Sequence, residues 1–358
     1  MTASASVRFA LVGFGFRAAA IARVAAGLPG VTCAGAVLRS PRELPVPAFA
    51  SIGECLASAR PDFLVTAVPR GANPAVITAA AARGVPVLAE TPPAPDLAAL
   101  RRLWDAAGAG VQVAEQYLLM PSHAARLAAV RTGIIGTPTQ VQVSSTQQYH
   151  AVALIRGLLG AGFEAATVRA TRTIAPLVDP LDRRGWTGDL APRPATTTIA
   201  TIDFGGGRSG VYDFTTNQTR NQLRFRRILV RGTHGELRDD DIVHLAGERA
   251  IARTPLIRRQ TGHDLDLEGF DTQTITLGGE ILYRNPFPGR RWNDDEIATA
   301  TLLTAMADFV RGEGPPPYPL AEAAQDHLIA LAVEESADAD RTVTTAAERW
   351  SATSSGRT

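Results

Sequence analysis

The sequence predicts two domains: an N-terminal doubly wound parallel sheet of the α/β class, then an α+β domain with a large, open, mainly antiparallel sheet. First, a chain of 358 residues is longer than one core normally supports. Second, nearly continuous apolar runs alternate with alanine-rich stretches from Val7 to Gln116, as in a parallel sheet covered by helices. Third, beyond Met120 the strand-like runs alternate apolar and polar residues. We expect domains at 1–118 and 119–350 and a frayed tail at 351–358.

The first domain is predicted to alternate strands and helices along the chain. Gly27 followed by Pro29 ends the first helix, and Asp96 stands where it would cap the last. The predicted strands are Val7–Val12, Cys33–Leu38, Phe63–Val68, Val85–Ala89 and Val111–Ala114, and the predicted helices are Ala18–Ala26, Pro74–Arg83 and Leu97–Ala107.

The second domain is predicted to begin with a helix and to continue as a sheet with one free face. An exposed apolar sheet face commonly pairs with a copy of itself, so a homodimer or homotetramer is expected. The predicted strands are Gln140–Ser145, Ala166–Thr173, Thr196–Phe204, Gly210–Thr216 and Phe225–Arg231, and the predicted helices are Ser122–Arg131, Ala151–Leu159, Asp295–Arg311 and Leu320–Ser336.

Composition excludes several classes of partner. The net charge is only +1, which argues against nucleic acid or an anionic membrane and favours a small-molecule partner. Cys33 and Cys55 are the only cysteines, so neither a disulfide scaffold nor a metal site is expected. Residues 1–6 lack a basic segment and no apolar run approaches the ~20 residues of a membrane span. We therefore expect a cytoplasmic protein.

A glycine turn follows the first strand. Val7–Val12 leads into Gly13-Phe14-Gly15-Phe16-Arg17-Ala18, and a helix follows. Gly13 permits the tight turn, Gly15 lets the backbone approach a pyrophosphate, and Ala18 allows close packing of helix on strand. The motif predicts dinucleotide binding, with residues 13–17 around the pyrophosphate. A glycine turn that serves only packing is the alternative.

The end of the second strand bears on the choice of nucleotide. NAD-selective sites usually carry a carboxylate there, about 20 residues beyond the glycine motif. This chain has Leu38 in that place, followed by Arg39 and Ser40, which suit a 2′-phosphate. The sequence therefore favours NADP(H), with NAD(H) as the second candidate. Alternatively, Arg39 is an ordinary solvated arginine.

Three motifs together resemble a known family. They are Ala67-Val68-Pro69, the run Gly84 to Pro92 with Glu90-Thr91-Pro92 at its end, and Glu115-Gln116-Tyr117. With the glycine turn, their order and spacing resemble the glucose-fructose oxidoreductase, inositol dehydrogenase and rhizopine catabolism family. The resemblance implies a Rossmann domain, an open-sheet domain and a nicotinamide cofactor, which Val68, Pro69, Glu90 and Thr91 would border.

The chain departs from the family pattern at two positions that matter for proton transfer. Members usually have Glu-Lys-Pro, whose lysine assists proton transfer, and Thr91 replaces that lysine. They also tend to have Asp-x-x-x-His at a helix entrance, where this chain has Thr146 and His150. Threonine is no general acid near neutral pH, so Thr91 is expected only to hydrogen bond.

His150 and Tyr117 are the candidate proton-transfer residues. Imidazole titrates near neutrality, which suits His150, and the Tyr117 hydroxyl can donate to a substrate carbonyl. Tyr149 is a weaker candidate for contact with the substrate. The alternatives are a histidine that only orients the helix start and an aromatic residue that fills the domain junction.

Three other segments contain charged or aromatic residues of the kinds found in binding sites. The loop Asp179 to Asp189 brings Arg184 and Trp186 together, which suits a substrate mouth as well as a solvated surface. The run Asp294-Asp295-Glu296 indicates an acidic helix start rather than a metal site. His234, between turn residues, is expected to be exposed.

The sequence favours an NAD(P)-dependent oxidoreductase with atypical catalytic residues. Hydride would pass between nicotinamide and a carbonyl, imine or carbinol carbon of a polar small molecule, either sugar-like or from specialised metabolism. The missing lysine and aspartate leave two alternatives open. One is a redox-neutral enzyme of elimination, epimerisation or cyclisation with bound nucleotide, and the other is a non-catalytic nucleotide sensor.

Overall fold

The chain divides into two compact units. The computed structural model describes residues 6–40, 42–107 and 110–354. The first unit comprises Met1–Met120, Gln260–Thr272 and Asn285–Ala324, and the second comprises Pro121–Arg259, Gln273–Arg284 and Gln325–Thr358. This grouping is discontinuous, whereas the sequence suggested one boundary after residue 118. Such groupings depend on long-range contacts, which composition does not reveal.

The first unit contains a six-stranded parallel sheet in the order β3-β2-β1-β4-β5-β6. Its strands are β1 (Val7–Val12), β2 (Val31–Val37), β3 (Ala48–Phe49), β4 (Phe63–Thr66), β5 (Val87–Ala89) and β6 (Val111–Val113). Every pair of neighbours in this sheet is parallel. The strand order reverses direction between β1 and β4, so this is a doubly wound sheet with its switch point there. The predicted fold class of the first domain is confirmed.

The helices end close to their predicted positions. Asp96 caps α4 as predicted, because its carboxylate accepts a hydrogen bond from the Ala99 N–H at 2.8 Å. The short helix α2 was not predicted. The helices are α1 (Phe16–Ala26), α2 (Ile52–Ala59), α3 (Asn73–Ala81), α4 (Leu97–Ala106), α5 (Pro121–Arg131), α6 (Gln148–Leu159), α7 (Asp294–Arg311) and α8 (Leu320–Ala339).

The core of the first unit explains its alanine content. Phe9 of β1 stacks on Phe63 of β4 with ring centroids 5.5 Å apart, and Leu64 and Ile77 are fully buried. Small residues such as Ala80 let helices lie close to these strands. The strands have buried residues on both faces, which explains their nearly continuous apolar sequence.

The second large sheet contains eleven strands, and its neighbours are antiparallel except for one parallel pair among those described, β7 with β12. Its predicted strands are found, and strands in the region 235–284 were not predicted. The strands are β7 (Pro138–Ser144), β8 (Thr167–Leu177), β11 (Arg193–Gly205), β12 (Arg208–Thr215), β13 (Arg227–Gly232), β14 (Gly235–Arg238), β15 (Asp241–Gly247), β16 (Ala250–His263), β17 (Asp266–Leu277), β18 (Glu280–Arg284) and β19 (Val343–Thr344). The order is β18-β17-β16-β15-β14-β13-β7-β12-β11-β8-β19. The predicted fold class of the second domain is also confirmed.

One face of this sheet carries exposed apolar side chains. Alternation along β11 buries Ala200 and Ile202 and turns Ile199 to the other face. The same alternation in β15 and β16 exposes further apolar residues on that open face. They are Val243, Leu245, Ile251 and Ile257.

Two segments are more ordered than the sequence predicted. The loop Asp179 to Asp189 contains a small hairpin of β9 (Leu181–Asp182) and β10 (Gly185–Trp186). Residues 351–354, expected to fray, complete a 3-10 helix (Arg349–Ser354). This turn is anchored because Trp350 is fully buried and donates to the Gln325 side-chain oxygen at 3.0 Å. Residues 355–358 lie outside the described residues.

Among the helices of residues 6–40, 42–107 and 110–354, none is both long and apolar enough to cross a membrane.

Candidate functional site

The glycine turn joins β1 to α1 with a geometry that only glycine allows at its first position. Gly13 has φ +89°, and a Cβ there would lie 2.6 Å from the Ala67 carbonyl oxygen. A Cβ on Gly15 would meet nothing within 4 Å. Gly15 also begins α1 without any side-chain cap, and the first turn holds no acidic residue. The turn is therefore tight at Gly13 and open at Gly15, with the helix N–H groups free of a capping side chain.

A cleft of about 800 Å³ opens beside this turn. It lies at the carboxyl ends of β1, β2 and β4, where ligands bind in doubly wound sheets. The predicted cofactor residues Arg39, Ser40, Val68 and Pro69 line it together with the glycine turn. The full lining is Val12, Gly13, Phe14, Gly15, Val37, Leu38, Arg39, Ser40, Arg42, Ala50, Ile52, Ala67, Val68, Pro69, Ala72 and Val76.

Arg42 is a lining residue that the sequence analysis missed. Its guanidinium donates to the Phe14 carbonyl oxygen and lies 5.6 Å from the centre of the Phe14 ring. It is exposed, as are Arg39 and Ser40, and the described residues that line the cleft include no carboxylate. The spacing of Arg39 and Arg42 was the available signal, since two cations three residues apart at a strand end mark a place for an anion.

Glu90 and Thr91 follow β5 at the same edge of the sheet. The Glu90 N–H donates to the Thr66 carbonyl at 3.2 Å, and the Glu90 carbonyl accepts from the Asn73 amide at 2.8 Å. Thr66 in turn donates to the buried Asn73 at 2.6 Å. The Thr91 hydroxyl donates to the Glu90 carboxylate at 3.3 Å. The backbone of this turn is therefore fixed by β4 and α3, and Thr91 contacts the carboxylate beside it.

Arg17 contacts two carboxylates in this structure. Its Nη1 donates to Asp295 Oδ2 at 2.9 Å, and its Nη2 donates to Thr299 Oγ1 at 3.3 Å. Its Nε lies 3.5 Å from Glu90 Oε2, an ion pair without a close hydrogen bond. The pyrophosphate role predicted for this side chain stays a prediction, because its guanidinium is already occupied.

The charge state of Arg17 follows from these neighbours. Burial by itself would lower the pKa of Arg17, but the charges of Glu90 and Asp295 outweigh burial and raise it. Arg17 is therefore a permanent cation. From sequence, Asp295 was predicted only as part of an acidic helix start, because its contact with Arg17 joins residues 278 positions apart.

Tyr117 belongs to the same cluster. It begins the 3-10 turn Tyr117–Leu119 after β6, and its N–H donates to the buried Glu115 carboxylate at 2.9 Å. The preceding Gln116 donates to Asp295 Oδ1 at 3.2 Å, and the Tyr117 side chain is near enough to contribute to the raised Arg17 pKa. The first unit thus brings together Arg17, Glu90, Thr91 and Tyr117.

In the second unit, His150 and Tyr149 lie in the first turn of α6. Their ring centroids are 4.3 Å apart, and Tyr149 meets His327 edge to face at 6.1 Å. His150 is only 8% exposed. Gln148, at the helix start, has φ +43° and its N–H donates to the Tyr212 hydroxyl at 3.2 Å. The predicted histidine is therefore held in an aromatic cluster.

Thr146 stands where the family pattern has an aspartate. It is fully buried, and the neighbouring Ser145 is 8% exposed. The hydroxyl groups of both residues have no hydrogen-bond partner. Buried hydroxyls are usually paired, so these two are available to a ligand that reaches this segment.

Arg184 and Trp186 lie on the β9–β10 hairpin. Trp186 is 80% exposed, and Arg184 is exposed with its N–H bonded to Asp182 at 2.6 Å. A cavity of about 380 Å³ beside the hairpin is lined by Asp179, Leu181, Asp182, Arg183, Thr187, Asp189, Arg193, Asn217 and Arg220. Neither Arg184 nor Trp186 contributes to that lining, so their substrate role stays a prediction.

The remaining sequence-based expectations concern His234 and the acidic run. His234 is exposed in the turn between β13 and β14, as predicted. The run from Asp294 begins α7, with Asn293 and Glu296 forming a capping box. Within residues 6–40, 42–107 and 110–354, no group of three or more His, Cys, Asp or Glu side chains is placed to hold a metal ion.

The parallel sheet, its glycine turn and the cleft at the switch point define a dinucleotide-binding domain of the Rossmann type. Residues 7–117 match the family described as "Oxidoreductase family, NAD-binding Rossmann fold". This match agrees with the resemblance predicted from the sequence motifs. Among curated proteins, none matches the chain.

Solved structures extend the similarity of fold over nearly the whole chain. An oxidoreductase from Agrobacterium radiobacter, in complex with NAD+, L-tartaric acid and magnesium, has a TM-score of 0.68 at 17% identity and covers 94% of this chain and 98% of its own. A myo-inositol dehydrogenase from Corynebacterium glutamicum has a TM-score of 0.63 at 20% identity, and the match covers 95% of this chain and 98% of that protein. The WlbA dehydrogenase from Bordetella pertussis, in complex with NADH and UDP-GlcNAcA, has a TM-score of 0.64 at 18% identity, and the match covers 96% of this chain and 100% of that protein. These likenesses establish the fold.

Proposed function

We propose that this protein is an NAD(P)-dependent oxidoreductase that prefers NADP(H) and transfers hydride to or from a carbonyl, imine or carbinol carbon of a polar small molecule. The observation that carries this proposal is the cleft at the glycine turn, whose β2 corner has Arg39, Ser40 and Arg42 and no carboxylate. The match of residues 7–117 to an NAD-binding oxidoreductase family supports the reaction class. The structures of relatives with bound NAD+ or NADH support the cofactor class.

The residues at the glycine turn fit a dinucleotide. Open space at Gly15 and the uncapped start of α1 offer backbone N–H groups to a pyrophosphate. Phe14 and Phe16 flank these groups, and Val68 and Pro69 form the wall at β4. A bound nicotinamide cofactor would supply hydride chemistry at its C4 atom.

The β2 corner carries the preference for NADP(H). A ribose diol is usually held by a carboxylate at this corner, and Leu38 cannot replace it. The exposed Arg39 guanidinium and Ser40 hydroxyl suit a 2′-phosphate, because guanidinium forms charge-assisted hydrogen bonds with phosphate oxygens. Arg42 adds a second cation at the same corner once it leaves the Phe14 carbonyl.

Proton transfer is assigned to His150 or Tyr117. Each belongs to an ordered cluster: His150 is held beside Tyr149, and Tyr117 follows a segment bound to Asp295. Thr91 would orient the substrate or cofactor through its hydroxyl, since it cannot serve as a general acid. The unpartnered hydroxyls of Ser145 and Thr146 suit a substrate rich in hydroxyl or carbonyl oxygens, as a polar small molecule would be.

The test is a titration of the purified protein with NADPH and NADH, followed by nicotinamide fluorescence. We expect wild type to bind NADPH at least tenfold more tightly than NADH, because charge-assisted hydrogen bonds contribute about 1.5–3 kcal/mol. The substitution Arg39→Ala should remove most of this preference and leave the affinity for NADH within about twofold, since the change touches only the phosphate contact.

A matched control is Arg102→Ala, which removes an exposed arginine of α4 that does not line the cleft. Its affinities should equal those of wild type. Equal affinity of wild type for both nucleotides would reject the NADP(H) preference. Failure of wild type to bind either nucleotide would reject the oxidoreductase itself.

We also propose that the open sheet face forms a homodimer or homotetramer. Five apolar residues on this face, from Ile199 to Ile257, are 44–79% exposed, and such a patch favours self-association. The double substitution Leu245→Glu with Ile251→Glu should lower the mass in light scattering to that of a monomer. Ile174→Glu, in β8 on the opposite face by alternation, should leave the mass unchanged. A monomeric wild type would contradict the proposal.

A further inference from the structure

Arg17 occupies a position that is unfavourable for a cation. It is the second residue of α1, which begins at Phe16 after the Gly15 cap. The start of a helix carries partial positive charge, so a cation there is normally destabilising and an anion is favoured. The Arg17 side chain is nevertheless only 22% exposed. Its neighbours must therefore compensate for both the helix dipole and the loss of water.

Two carboxylates from separate elements provide this compensation. Glu90 follows β5, and Asp295 belongs to the first turn of α7, where the helix dipole favours it. Arg17, Glu90 and Asp295 taken together are one cation and two anions, so these three side chains carry a net negative charge. The Glu90 side chain is 20% exposed and Asp295 is 43% exposed, so this charge is only partly screened by water.

The cluster of Arg17, Glu90 and Asp295 and the β2 corner with Arg39 lie on different sides of the glycine turn. Along the sheet the order is β2, β1, β4 and β5, so the phosphate corner and Glu90 lie on opposite sides of the glycine turn. If a dinucleotide binds across the switch point with its pyrophosphate on this turn and its 2′-phosphate at the β2 corner, its nicotinamide half would extend toward β5. This step rests on the proposed function.

We propose that Arg17 is a positioning residue whose charge balances Glu90 and Asp295 and thereby sets the relative affinity of the protein for oxidised and reduced cofactor. The oxidised nicotinamide ring carries a positive charge and the reduced ring carries none. Any extra negative charge near the ring therefore favours the oxidised form. Arg17 limits that effect by neutralising one of the two carboxylates, and it also keeps both carboxylates in fixed positions.

The experiment measures three dissociation constants by calorimetry, for NADP+, NADPH and 2′-phospho-ADP-ribose, which lacks the nicotinamide. In Arg17→Met we expect the ratio of the NADPH constant to the NADP+ constant to rise on the order of tenfold, as for the loss of one unit of positive charge in a partly buried place. Because the two constants are linked to the redox equilibrium, tenfold corresponds to about 30 mV lower potential for the bound two-electron couple. The affinity for 2′-phospho-ADP-ribose should stay within twofold.

A charge-restoring variant separates electrostatics from folding. Arg17→Met with Glu90→Gln removes one cation and one anion, so the net charge of the cluster returns to its original value. We expect the ratio to return to within threefold of wild type, although every native contact of Arg17 is lost. Arg17→Lys, which keeps the charge, should also stay near wild type. Glu90→Gln alone should move the ratio in the opposite direction, and it tests the proposal even if Arg17→Met does not fold.

Three results would overturn the proposal. Equal weakening of all three ligands in Arg17→Met would make Arg17 a pyrophosphate ligand. An unchanged ratio in Arg17→Met or in Glu90→Gln would mean that the cluster does not sense the ring. A raised ratio that Glu90→Gln fails to restore would indicate a structural effect. If wild type binds none of the three ligands, the proposed function itself falls, which is a distinct outcome.

Discussion

Arginine has opposite surroundings at two places along the carboxyl edge of the parallel sheet, the end of β2 and the end of β5. At the β2 corner, Arg39 and Arg42 are exposed and face a cleft without carboxylates. At the β5 end, Arg17 is mostly buried between Glu90 and Asp295. An exposed cation without an anionic partner keeps its attraction for an incoming phosphate, whereas a neutralised cation stabilises the positions of its neighbours. The same side chain therefore suits recognition at one end and organisation at the other.

The partners of Arg42 make this contrast sharper. A backbone carbonyl and an aromatic ring hold Arg42 in place, and both are weak partners compared with a phosphate. Arg17 has two carboxylates and the Thr299 hydroxyl. A ligand phosphate would displace the first set of contacts at little cost and the second set at high cost.

The largest expected effect comes from breaking the glycine turn between these two ends. Gly13→Ala should destabilise the protein by about 1–3 kcal/mol and abolish nucleotide binding, because a positive φ and a clash with the Ala67 carbonyl oppose any side chain. Gly15→Val should leave the melting temperature unchanged and still weaken NADPH at least tenfold, since its side chain would occupy only ligand space. Calorimetric melting and fluorescence titration measure the two effects.

Gly13→Ala and Gly15→Val serve as controls for each other, because both substitutions lie in one turn. If Gly15→Val bound NADPH as wild type does, the space beside Gly15 would not be the cofactor site. If Gly13→Ala melted as wild type does, the tight turn would be less constrained than its φ indicates.

A smaller effect should separate the two ends by their response to salt. The preference for NADPH over NADH depends on exposed arginines, so it should fall several-fold between about 20 mM and 500 mM NaCl, as the Debye length shrinks. The ratio of NADPH to NADP+ affinity depends on the partly buried Arg17 cluster and should change less than twofold. Titrations at the two salt concentrations measure both. Equal salt dependence of the two quantities would remove the distinction between the ends.

Local signals explain what the sequence analysis predicted correctly. The glycine turn, the strand β1 and the cap at Asp96 each depend on residues within one or two turns of the chain, and all were located from sequence. The place of Arg39 and Ser40 beside the cleft was also predictable, because they follow β2 after a single residue, Leu38. Arg42 was missed although its spacing was visible, since its contact with Phe14 involves a different loop.

Long-range pairing explains what was missed. Strands β14 to β18 contain many charged residues and alternate weakly, so their pairing in the large sheet was not apparent from periodicity. Residues 260–272 and 285–324 group with the first unit although they come late in the chain. The sequence offered no local reason for this grouping.

The amino-acid sequence by itself determined the doubly wound domain, its glycine turn and the position of Arg39 and Ser40 after β2, because hydrophobic period, glycine conformation and strand-end position are properties of short segments. Only the tertiary structure decided which side chains surround Arg17. From sequence it is one more residue of the phosphate turn, yet the folded chain brings Asp295 to it from 278 residues away and Glu90 from another strand end. Coulombic interactions act through space and not along the chain, so the charge balance of this site exists only in the fold.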